Sequence, residues 1–210
     1  MSFADMTVRG FLDQLASQSP APGGGSASAV AGAMGVGLAA MVAGLTDKSE
    51  MSAEDASRVD AIRHRSKRLM EALLRCADDD TAAFGEVMRA FKLPKSTDEE
   101  KRARREAIQL ALKGAVSAPR STLELAAEGM QMAAYMAESG NPNAASDAGV
   151  GALLLDTAMG GAIFNMQINL GSIKDQEFVA EMESEIDRFA KVRDELRQRA
   201  VRSVTRRIGS

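Results

Sequence analysis

Residues 20–46 read Pro-Ala-Pro-Gly-Gly-Gly-Ser-Ala-Ser-Ala-Val-Ala-Gly-Ala-Met-Gly-Val-Gly-Leu-Ala-Ala-Met-Val-Ala-Gly-Leu-Thr. Three glycines followed by Ser26 predict a tight loop that opens a helix, with Ser26 as its N-cap. Such a loop turns several backbone N–H groups toward one point, where the helix dipole adds partial positive charge. Behind it the chain carries scarcely a large side chain, with Gly32, Gly35, Gly37 and Gly44 set among alanines. Each glycine costs a helix about 1 kcal/mol relative to alanine. Close approach to another helix or to a ligand is the expected reason for tolerating that cost. The Gly-Lys-Ser/Thr continuation of a phosphate-binding P-loop is missing, which excludes a nucleoside triphosphate site of that type.

Outward from this segment, every periodic stretch reads as helix and none as strand. A short amphipathic helix is predicted over 7–17, with Phe11, Leu12 and Leu15 on one side. Ser52-Ala-Glu-Asp55 resembles a capping box and starts a long helix ending before Pro94. Thr97-Asp-Glu-Glu100 matches the box fully and opens another, which Pro119 must kink or break. Gly140-Asn-Pro-Asn143 is a turn, and Ser146 or Asn143 is expected to cap a helix running to about residue 171. Asp175 starts the last helix, whose stripe includes Phe178, Met182, Ile186 and Phe189. The expectation is one compact all-α domain over residues 1–210, with six or seven helices.

Composition agrees and removes several functions. Apolar residues reach 45% while aromatics make only 4%, the palette of helices packed through small side chains. A net charge of −3 gives no electrostatic case for nucleic acid. The lone Cys76 cannot form an internal disulfide and fits a reducing cytoplasm. One histidine and one cysteine cannot build a His/Cys metal cluster, so no metal site is expected. Asp5, Arg9 and Asp13 interrupt what would be a signal peptide. Residues 27–45 are uncharged but only mildly apolar, which favours a buried helix of a soluble protein over a membrane span.

Two places carry candidate chemistry. On the third helix Val59, Ile62, Ser66, Leu69, Leu73 and Cys76 form an apolar stripe that continues through Asp80 to Ala83 and Val87. Asp80 therefore faces the core, whereas Asp78 and Asp79 fall off the stripe and are expected to stay solvated. A core-facing carboxylate must find donors or a cation, or else take up a proton. It either caps a neighbouring helix or pairs with a buried arginine, or it serves as a catalytic carboxylate in a cleft. His64 lies nearly opposite the stripe and reads as solvent-facing, and Cys76 reads as core. Further on, Asp147 stands in the first turn of its helix, where the dipole favours a carboxylate. Asn165 and Asn169 follow on the same face, one turn apart, able to grip a planar ligand or to bond a neighbouring helix. Asp147 and Asn165 are five turns apart, about 27 Å along the axis. They serve separate tasks, or a two-fold partner brings one end of the helix beside the other end of its mate.

These residues carry a resemblance. Pro22-Gly-Gly-Gly-Ser26, Asp80 with Ala83-Phe84, Leu93-Pro94, Thr97-Asp-Glu-Glu-Lys101, Asn143 with Ser146-Asp147-Ala148, and Asn165 with Ile168-Asn-Leu170 occur in order along nearly the whole chain. In this the chain resembles the cyclodeaminase/cyclohydrolase family, the deaminase half of formiminotransferase-cyclodeaminase and its free-standing bacterial relatives. The resemblance implies an all-helical homodimer acting on a tetrahydrofolate substrate, and the chemistry at that substrate's one-carbon unit calls for a carboxylate and no metal or redox cofactor. The segment from Leu93 to Lys101 is nearest the free-standing cyclohydrolases. The activity so implied is hydrolysis of 5,10-methenyltetrahydrofolate to 10-formyltetrahydrofolate, with cyclodeamination of 5-formiminotetrahydrofolate as the alternative. Asp80 would be base or cation stabiliser, and Asp147 proton shuttle or pterin anchor. Asn165 and Asn169 would orient the pterin, with Asn143 a further substrate contact. Gly24, Gly25 and Ser26 would hold a carboxylate of the glutamyl tail, assisted by Lys113.

Overall fold

The computed structural model describes residues 2–209, and among these every regular element is helical. Seven α-helices follow in order: α1 (Val8–Leu15), α2 (Gly24–Leu45), α3 (Ala53–Phe91), α4 (Asp98–Ala115), α5 (Ser117–Ser139), α6 (Ala145–Leu170) and α7 (Gln176–Ile208). Short 3₁₀ turns occupy Phe3–Asp5 and Pro142–Ala144.

The small-residue helix α2 is the centre of the bundle, packed against α3, α5 and α6. Gly32 faces Leu73 of α3 and Ala158 of α6, and Gly24 faces Asn165. Rising numbers on α2 thus meet falling numbers on both neighbours, so α2 runs antiparallel to each. At the closest point Gly35 lies against Gly151. A Cβ built on Gly35 would stand 2.6 Å from Leu155 Cγ and 2.7 Å from the Gly151 carbonyl oxygen. Two backbones can approach this closely only where both lack side chains. The glycine-rich faces are therefore used within the chain, for the close approach to another helix that their cost led one to expect. The helices long and apolar enough to cross a membrane, Gly24–Leu45 and the 142–170 stretch, are 50% and 56% buried in this packing.

Helix ends and side-chain exposure follow local chemistry with three exceptions. Thr97 and Glu100 form the expected capping box, and Ser52 accepts from the Asp55 N–H at 3.1 Å. Pro119 sits in the first turn of α5, after a break at Val116, where its missing N–H costs no helical bond. The first exception is Ser26, which is not the cap of α2. Gly23 holds that position, and Ser26 lies inside the first turn with its hydroxyl turned toward α3. The second is the start of α6, capped by neither Ser146 nor Asn143. Asn141 instead accepts from Asn143 N–H at 2.9 Å and starts the 3₁₀ turn that leads into α6. The third is Asp78, expected in solvent, which accepts from Ser2 Oγ at 2.5 Å and Phe3 N–H at 2.8 Å and so tethers the N-terminal turn. His64 is exposed and Cys76 buried, as their places relative to the stripe require.

Candidate functional site

Because α2 is antiparallel to α3 and α6, its N-terminus arrives beside the middle of α3 and the C-terminal end of α6. A pocket of about 330 Å³ opens there. Its walls come from Gly24 and Gly25, from Asp80 and Phe84 of α3, and from Asn165 and Asn169 of α6. These residues are far apart in sequence and meet only through the bundle.

Asp80 is the ionisable side chain in this wall. Ser26 Oγ lies 3.1 Å from Asp80 Oδ2 and 2.9 Å from the Ala77 carbonyl oxygen, with Thr81 Oγ1 at 3.3 Å. Burial raises the Asp80 pKa above its ordinary value, while the Ser26 hydroxyl and backbone N–H pull in the opposite direction without cancelling it. No cation pairs with this carboxylate among the described residues, so a partner arginine is not the reason for its position. Asp80 meets the first turn of α2 through Ser26 and also lines the pocket. Ser26 has one hydroxyl proton and two acceptors within reach. When Asp80 is ionised the proton can go to Oδ2. When Asp80 is protonated, Ser26 can accept from it and donate to Ala77. The hydroxyl thus serves both states of the acid.

Gly25 makes this approach possible. A Cβ there would lie 2.2 Å from Asp80 Oδ1 and 2.6 Å from Oδ2, so every other residue would drive the carboxylate away. The positive end of α2 therefore receives the protein's own carboxylate. Ser26 is fully buried, is not among the residues lining the pocket, and has its hydroxyl engaged with Ala77 and Asp80.

The two asparagines reach the pocket with part of their amides already engaged. Asn165 Nδ2 donates to the Gly161 carbonyl at 2.7 Å. Asn169 Nδ2 donates to Asn165 O at 2.9 Å and to Ala115 O at 3.2 Å, which fastens α6 to the end of α4. The structure does not bring the other candidates here. Lys113 Nζ is 2.5 Å from Asp175 Oδ2 and lies over the Phe178 ring, outside the pocket wall. Asn143 is exposed in the 3₁₀ turn and Asp147 half-buried in the first turn of α6, at the far end of that helix. Phe84 is one of the pocket residues to which the sequence reading gave no role, others being Thr81, Val87 and Ile168. Its signal is present all the same: it follows Asp80 by one helical turn on the same face.

Comparison with known proteins places this pocket in context. A family model described as formiminotransferase-cyclodeaminase matches residues 7–188. Methenyltetrahydrofolate cyclohydrolase of Methylorubrum extorquens is 39% identical over 181 residues, 86% of this chain and 87% of its own. Formimidoyltransferase-cyclodeaminase of Gallus gallus is 37% identical over 184 residues, and the match spans only 33% of its length. The solved structure of formiminotetrahydrofolate cyclodeaminase from Thermotoga maritima shares the fold with a TM-score of 0.85 at 29% identity, covering 96% of this chain and 97% of that one. With the family model and a relative of like length both matching most of its residues, the chain belongs to the formiminotransferase-cyclodeaminase family.

Proposed function

We propose that the protein hydrolyses 5,10-methenyltetrahydrofolate to 10-formyltetrahydrofolate. The observation that carries this reading is Asp80, a pocket-facing carboxylate of raised pKa with no cation beside it among the described residues. The substrate's bridging carbon joins two nitrogens as a delocalised cation and is already electrophilic. Asp80 offers it an uncompensated negative charge and, when ionised, accepts a proton from the attacking water. Oxygen bonds to the carbon, giving a neutral tetrahedral adduct. The hydroxyl proton then passes to the departing N5 as the carbon–N5 bond breaks and the formyl group forms on N10. Asp80 finally releases its proton to solvent, so one cation and one water yield one neutral product and one proton. The match at like length to a methenyltetrahydrofolate cyclohydrolase supports this activity over the alternative.

Cyclodeamination of formiminotetrahydrofolate is the second reading, favoured by the fold shared with the Thermotoga maritima enzyme of that name. Both reactions pass through the same carbon, and one experiment separates them. The purified protein is expected to abolish methenyl absorbance from methenyltetrahydrofolate and to produce none from formiminotetrahydrofolate. Absorbance gained from the formimino compound, with the methenyl compound stable, defeats the hydrolase reading. The reaction is expected to proceed unchanged with EDTA, since a single histidine and a single cysteine cannot build a His/Cys metal cluster and no group of three or more His, Cys, Asp or Glu is placed to hold a metal among the described residues. Loss with EDTA and recovery with zinc or magnesium would defeat that expectation.

Ser26 supplies a pH test. Burial raises the Asp80 pKa and the Ser26 hydroxyl lowers it, so Ser26→Ala leaves burial less opposed. The base form then appears only at higher pH. The acid limb of the kcat/KM profile is expected to move upward. An unmoved limb would separate the titrating base from Asp80.

The same reading includes a cytoplasmic homodimer. Its support is the exposed apolar side chains of α2 and α6, Met34, Met41 and Leu45 on the one and Val150, Leu153, Phe164 and Ile168 on the other, each 40% exposed or more. Ile168 belongs both to this set and to the pocket. Pairing α6 with its copy about a two-fold axis near Thr157 exchanges the ends of the helix. The partner subunit's Asp147 then comes to the Asn165 end, where it could shuttle protons or anchor the pterin.

A further inference from the structure

Phe84 stands on α3 one turn beyond Asp80, the two Cβ atoms roughly 5–6 Å apart as neighbours on a helix face. Its side chain lines the pocket and is 38% exposed. Among the seven phenylalanines, Phe3 and Phe11 hold each other, while Phe91, Phe178 and Phe189 each hold a cationic side chain. Phe84 and Phe164 have neither kind of partner among the described residues, and of these only Phe84 faces the pocket. An aromatic ring left open beside an uncompensated carboxylate contributes little to folding. Its flat negative face and the carboxylate act together on one kind of ligand, a planar ring system carrying delocalised positive charge.

We infer that Phe84 is the specificity-determining wall of this pocket, selecting the planar methenyl cation over the neutral formyl product. The inference rests on the hydrolase reading and adds to it a residue and a reason for discrimination. The cation lies on the ring face with its charged carbon toward Asp80. Hydrolysis removes the charge and opens the bridge that held the ring system flat, so the product loses both attractions. Recognition by Phe84 therefore ends when the reaction does, which favours release.

Steady-state kinetics of the full chain with Phe84→Leu and Phe84→Trp tests this. Leucine keeps apolar bulk but has no ring. Phe84→Leu is expected to raise KM for methenyltetrahydrofolate about 5- to 30-fold, the range of a desolvated cation–π contact. Its kcat should stay within about threefold of wild type, because the acid–base groups are untouched. Inhibition by 10-formyltetrahydrofolate should weaken less than about twofold. Phe84→Trp should restore KM to the wild-type value or lower, a rescue that a role in packing alone would not produce. An unchanged KM in Phe84→Leu overturns the inference. Equal weakening of substrate and product also overturns it, reducing Phe84 to an apolar surface. Wild-type protein that leaves methenyltetrahydrofolate intact overturns the hydrolase reading and this inference with it, whereas an active wild type with an unaltered Phe84→Leu variant overturns this inference alone.

Discussion

Asp80→Asn is expected to lower turnover of methenyltetrahydrofolate about 10²-fold or more, the usual contribution of a positioned acid or base. The thermal midpoint should stay at the wild-type value or rise. The geometry explains the separation. Asparagine keeps the volume that fits against Gly25, where the carboxylate leaves no room for a Cβ. Its amide can donate to Ser26 Oγ while Ser26 donates to Ala77, the pattern of the protonated acid. What it loses is negative charge and the ability to take a proton. The stability change has a definite pH window. Because burial raises the folded-state pKa of Asp80, the native state holds its proton more tightly than the unfolded chain. The ionised group costs nothing below its unfolded pKa of about 3.9 and costs most above the raised folded value. Any gain from Asp80→Asn should thus be present at pH 7 and absent near pH 3. Thermal melts at both values, with initial rates at pH 7, check it. A variant that melts much lower but turns over normally once folded would make Asp80 a structural cap of α2 and end its catalytic assignment.

Asp80 was legible in the sequence for a physical reason: a three-four apolar stripe fixes which face a residue occupies, and a carboxylate on that face is an anomaly whatever the fold. Its neighbours were less legible. Capping rules read Ser26 against the residues that follow it, whereas its hydroxyl answers to Ala77 and Asp80, 51 and 54 residues away. Asp78 escaped in the same way, since its partners Ser2 and Phe3 lie 76 and 75 residues distant. The glycines announced a close approach without naming the partner, and the partner is a second glycine helix of the same chain. Lys113 and Asn143 entered only through the resemblance. A lysine in the last turn of α4 finds the capping aspartate of α7 once the helices are packed, which no local pattern reveals. The helix rise of about 1.5 Å per residue is enough by itself to separate Asp147 from Asn165, and the bundle keeps them at opposite ends of α6.

That separation gives the second large effect, a subunit complementation. Asp80→Asn and Asp147→Asn are each expected to be nearly inactive alone, because every site of either homodimer lacks one carboxylate. In a mixed dimer each site draws Asp80 from one chain and Asp147 from the other. One site then receives both substitutions, and the other receives both native carboxylates. Denaturing and refolding the two variants together in equal amounts makes half of the dimers mixed, each with one of its two sites intact. Activity should return to about a quarter of wild type, at least tenfold above either variant alone. If Asp80 and Asp147 acted within one chain, mixing would restore nothing, since every chain would carry one lesion. The exposed apolar side chains of α2 and α6 supply an independent check. Phe164→Glu places a charge on a side chain that is 72% exposed in the single chain and central to the proposed contact. It should yield monomers by light scattering at micromolar concentration and should abolish the recovery on mixing. Recovery without dimers, or stable and fully active monomers of the native chain, would exclude a partner's Asp147 from the site and leave the chemistry to Asp80 alone.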